Sequence, residues 1–141
     1  MLHAETSALA REWTTLQDNY EQYEKSCLLI KLAGIVLFVT CLALALHAPI
    51  VVAVMLIVWV QEGITRTFQS RLGERLLRIE HMLRQDSPQG TQACQLHTEW
   101  QAGRPGVGGL VAEYGKSMLR PTVAFPYAVL ILMNVVPAVL R

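Results

Sequence analysis

Few residues in this chain could carry chemistry, and most stand apart. Cys94-x-x-His97, with His81 upstream, offers two or three ligands to a metal ion. A structural zinc site needs about four, usually in two pairs, so the set falls short and no metal is expected. The glycine-rich run from Gly103 to Gly109 would cradle a phosphate only if Gly-Lys-Ser/Thr opened a helix after a strand. Lys116-Ser117 lies well beyond the glycines, and the run reads as a hinge. There is no serine–histidine–acid set, and the acids fall mainly on the solvated faces of helices. We therefore expect no enzymatic activity and no cofactor.

Three polar residues are placed more pointedly. Lys31 and Glu62 each stand just inside an apolar segment, where a charge is costly unless it is paired or reaches the interface. They are expected to pair, or else both to reach the headgroup region. Asn134 lies near the middle of the last apolar segment, where an amide usually bonds to a neighbouring helix.

The elements that must position these residues follow from hydropathy. Hydrophobic residues make up 52% of the 141 and charged residues 16%, against about 25% charged in a soluble domain. From Leu32 to Val60, 29 residues carry no formal charge if His47 is neutral, and from Pro121 to Leu140 another 20 carry none. About 20 apolar helical residues cross a bilayer core of roughly 30 Å. The first stretch is too long for one span and contains His47-Ala48-Pro49, where a turn is expected because Pro starts helices. The reading is all-α: spans at about 27–46 and 49–63 in one helical hairpin over residues 1–85, a connecting segment at 86–120 with short helices near 91–102 and 110–119, and a third transmembrane helix at 121–141. A polar stretch precedes the first span, which reads as an uncleaved signal anchor. Cys27, Cys41 and Cys94 imply no disulfide framework.

Both flanks of the hairpin are patterned. Leu9, Trp13, Leu16, Tyr20, Tyr23, Cys27 and Ile30 recur at spacings of 4 and 3, a heptad seam. Ile64, Phe68, Leu72, Leu76, Ile79 and Leu83 form a second helical stripe. With the turn at 47–48, residues whose numbers sum to about 95 should meet, giving a coiled-coil-like arm. That register pairs Glu12 with Arg84, Asp18 with Arg78, Glu21 with Arg75, and Glu24 with Arg71.

The arginines after the second span place that side in the cytosol by the positive-inside rule. We expect a bacterial inner-membrane protein with its amino terminus in the cytosol and its carboxyl terminus outside. A net charge of +1 gives no reason to invoke a nucleic acid. The expected partners are membrane lipid and either other membrane subunits or further copies of the chain. The favoured role is a non-catalytic accessory or scaffold subunit presenting its hairpin. The alternatives are a homo-oligomeric pore or membrane-perturbing effector, and a small transporter component. Sparse polar residues in the spans (Thr40, Thr122, Asn134) weigh against a wide pore.

Overall fold

The computed structural model describes residues 2–84, 94–103 and 106–140, with side chains from Ala8 onward. Among these residues the protein is all-α. Its helices are α1 (Leu2–Ala43), α2 (Ala48–Arg84), α3 (Leu96–Ala102), α4 (Val107–Met118) and α5 (Pro121–Val139). Three of them, α1, α2 and α5, are long and apolar enough to cross a membrane. The turn-rich stretch Asp86–Gly90 and the loop residues Arg104 and Pro105 lie outside the described residues. Val107, Gly108 and Gly109, expected in the flexible loop, form the first turn of α4.

Helices α1 and α2 form one antiparallel hairpin, and its turn lies earlier than expected. Helix α1 stops at Ala43 because Ala45 takes a left-handed conformation, φ 51°. Leu46 N then donates to Cys41 O at 3.1 Å, and Ala45 N to Leu42 O at 3.0 Å. This is the Schellman pattern, which normally recruits Gly at the left-handed position. Alanine there costs about 1 kcal/mol and leaves no glycine signal to read. His47 O accepts from Ile50 N and Val51 N and so opens α2, with Pro49 in the first turn, where its missing N–H costs nothing.

Moving the turn centre to about 45.5 lowers the pairing sum from about 95 to about 91, and the cross-hairpin contacts fall within about one helical turn of that sum. Lys31 meets Glu62, Trp13 Nε1 donates to Glu80 at 3.2 Å, and Tyr20 packs at Gly73. The expected charge ladder is therefore corrected. Arg75 reaches Glu12, not Glu21. Arg71 and Arg78 turn to Glu113 and Glu99 on the connecting helices. Asp18, Glu24 and Arg84 stand exposed and enter no ion pair among the described residues.

The apolar stripes still supply the core. Leu9, Leu16, Leu76 and Ile79 are buried together, with Trp13, Tyr20, Leu72 and Leu83 packed around them. A second core joins Phe38 and Cys41 of α1 to Val51 and Met55 of α2, with Leu130 and Ile131 of α5 against it.

Helices α4 and α5 both run antiparallel to α2 and are broken at Leu119-Arg120. Ser117 on α4 bonds to Thr67, while Asn134 on α5 reaches the start of α2. The 19 residues of α5 rise about 28 Å, close to the roughly 30 Å of a hydrocarbon core. Its first turn lies beside Lys31 and Glu62, so that layer marks one edge of the apolar slab. From Glu62 to Arg84, α2 continues about 33 Å beyond the edge as an arm, flanked by α1, α3 and α4.

Candidate functional site

The polar residues gather in two places, one at the slab edge and one on the arm. At the edge, Glu62 is fully buried, at 0% exposure. Its Oε2 accepts a hydrogen bond from Tyr127 Oη at 2.9 Å. Its Oε1 is held by charge alone. Lys31 Nζ lies 3.2 Å away and Arg66 Nε 4.0 Å, and neither closes a hydrogen bond to it. A buried carboxylate without such partners would cost several kcal/mol.

Sequence explains why the third helix docks here. Pro126 has no N–H, so the carbonyl four residues earlier, Thr122 O, loses its helical donor. Lys31 Nζ donates to that oxygen at 2.9 Å. At its last residue, α4 presents the Met118 carbonyl, which takes the Trp59 indole N–H at 3.1 Å. The Trp59 and Tyr127 rings stack with centroids 6.2 Å apart. Three side-chain donors, Lys31, Trp59 and Tyr127, thus tie the α4–α5 corner to the hairpin.

Close packing completes the joint. A Cβ on Gly63 would collide with Met118 Cγ, so only glycine lets α4 lie against α2 at that point. Thr67 Oγ1 donates to Gly63 O and bonds with Ser117 Oγ at 2.8 Å. Gly34 gives room for Val58 and the Tyr127 ring.

On the arm, Arg75 is fully buried. Its guanidinium donates to Glu12 from Nε at 3.0 Å and to Glu99 from Nη1 at 2.7 Å. Glu99 also accepts from Arg78 at 2.9 Å, and Glu12 from the Cys94 backbone N–H at 2.7 Å. The chain of charges joins α1, α2 and α3, and bidentate pairing of this kind suits arginine. Beside it, Arg71 lies between the Phe68 and Trp100 rings, 5.3 and 5.4 Å from their centroids, and pairs with Glu113 at 2.8 Å. A cleft of about 460 Å³ opens there, lined by Tyr23, Phe68, Arg71, His97, Trp100 and Glu113 among others.

The structure thus brings Lys31 and Glu62 together. Asn134 Nδ2 donates to Ala48 O at 3.1 Å, a contact between helices. Of the eight residues expected along the hairpin seam, Glu12, Arg71, Arg75 and Arg78 form ion pairs, in combinations other than those expected. Glu21 accepts from Gln17 on its own helix. Sequence reading missed Tyr127, Arg66, Trp59, Glu99 and Glu113. The spacing from Thr122 to Pro126 was the one available signal, since it announces an orphaned carbonyl. Cys94 is exposed, and among the described residues no three His, Cys, Asp or Glu side chains gather to hold a metal ion. No protein-family model, curated protein or solved structure matches this chain.

Proposed function

We propose that the protein is a non-catalytic accessory or scaffold subunit of a membrane complex, with the projecting arm as its docking element. What carries this reading is the division of labour on the arm. Its arginines are spent on the chain's own carboxylates, because the buried Arg75, the partly buried Arg71 and the exposed Arg78 all pair within the chain. Its surface nevertheless displays large apolar side chains, Leu77 at 67%, Val111 at 63% and Val107 at 80% exposure. Exposed apolar groups outside a slab suit contact with another protein. The pore alternative draws less support, since Thr40 and Asn134 both spend hydrogen bonds on backbone carbonyls of the chain itself.

The positive-inside count puts the arm in the cytosol of a bacterial inner membrane under this proposal. A photo-crosslinking residue at Leu77 or Val107, activated in the native membrane, tests it. A discrete adduct with one unrelated chain is the expected result. A ladder of self-adducts would replace the scaffold reading with the oligomeric effector, and no adduct at either position would defeat docking through this face.

A further inference from the structure

The basic side chains fall into two populations. Along the arm, five arginines stand against seven carboxylates among the described side chains, and three of those arginines are paired internally. Within about 11 Å of the slab edge along the helices, the balance reverses. Lys25, Lys31, Arg66, Lys116 and Arg120 are opposed only by Glu24 and Glu62. Glu62 is shared by Lys31 and Arg66. Lys25, Lys116 and Arg120 are exposed and enter no ion pair among the described residues.

Three of these cations lie on or beside the α4–α5 corner. Lys116 and Arg120 lie four residues apart across the break, and Lys31 is bonded to Thr122, two residues past Arg120. An ammonium has three N–H donors. Those of Lys31 serve Thr122 O and face Glu62, which leaves one, and its side chain remains 21% exposed. Leu119 and Phe125, exposed at 74% and 71%, flank the corner with apolar surface. Uncompensated cations next to lipid-facing apolar side chains, level with the end of a transmembrane helix, match one chemistry: a phosphodiester attached to acyl chains.

We propose that the α4–α5 corner binds the phosphate of an anionic phospholipid through Lys116, Arg120 and the third N–H of Lys31, with the acyl chains against Leu119 and Phe125. The site does not depend on any protein partner of the arm.

Native mass spectrometry of the full chain in detergent, titrated with phosphatidylglycerol or phosphatidylcholine, tests the proposal. The wild type should retain phosphatidylglycerol in preference. The K116Q/R120Q variant should bind it about twenty-five-fold more weakly, since each juxtamembrane cation is worth roughly fivefold, and R120Q alone should show the smaller drop. The R11Q/R84Q variant removes the same charge from the arm and should bind as wild type. Equal retention of the two lipids, or equal loss in both double variants, would overturn the site. Displacement by millimolar inorganic phosphate would reassign it to a free anion. K116R/R120K should keep full binding, and its loss would likewise overturn the assignment.

Discussion

Lys31 supplies the hydrogen bond that Pro126 cannot. Proline strips Thr122 O of its helical donor, and an ammonium from the first helix fills the place at 2.9 Å. The same ammonium lies 3.2 Å from the buried carboxylate of Glu62. One side chain therefore binds all three membrane helices.

Replacing Lys31 should expose that dual role. Lys31→Met leaves Glu62 buried without its nearer cation and should cost about 3 kcal/mol. Pro126→Ala restores the N–H to Thr122, so in that background the cost of losing Lys31 should fall by about 1 kcal/mol. Reversible unfolding in detergent, run as a double-mutant cycle, measures the coupling. Strict additivity would show that the two residues do not share the carbonyl.

Gly63 should tolerate no side chain while Met118 keeps its own. Gly63→Ala is expected to loosen α4 and speed proteolysis within 107–118. Met118→Ala in the same chain should recover most of the protection, because Trp59 bonds only the Met118 backbone carbonyl. Equal cleavage of the wild type and both variants would argue against the close approach.

The hairpin register can be read from two conservative changes. Glu12→Gln removes a charged partner of the buried Arg75 and should destabilise by about 2 kcal/mol. Glu21→Gln touches only a surface contact with Gln17 and should stay within about 0.5 kcal/mol. Thermal melts of the two variants decide it, and the reverse order would restore the register with a pairing sum of about 95.

Helix directions predict sidedness. The α1–α2 turn and the end of α5 lie at the same end of the bundle, and the arm lies at the other. Single cysteines at His47 and Leu140, in a chain stripped of Cys27, Cys41 and Cys94, should react with an impermeant maleimide from one side. A cysteine at Arg84 should react from the opposite side. Labelling of position 140 together with 84 would mean that α5 does not cross.

The three spans, the hairpin and the two apolar stripes were legible because hydropathy and helical period are properties of single residues summed over long windows. The Lys31–Glu62 contact survived the wrong turn because a slip of about one helical turn still leaves long side chains within reach. The charge ladder did not survive it. Ala45 holds a conformation usually marked by glycine, and that hidden stop moved every partner. Glu99 and Glu113 could not be seen as partners at all, since they come from the connecting helices α3 and α4, whose placement against α2 has no periodic signal; for α4 it rests on Gly63 and Ser117. Tyr127 and Trp59 carry no sequence signal for their acceptors, because Glu62 Oε2 and Met118 O come within reach only once α4 and α5 dock.

The separation of Lys31 from Thr122, 91 positions along the chain, has a consequence for how the protein is made. At about 5–20 residues per second, the ribosome delivers Thr122 roughly five to twenty seconds after Lys31. During that interval Glu62, made about a third of the way through, can already take the ammonium, and the hairpin can enter the bilayer with its charges matched. The last helix then arrives at a prepared berth, carrying an unsatisfied carbonyl that only a finished hairpin can serve.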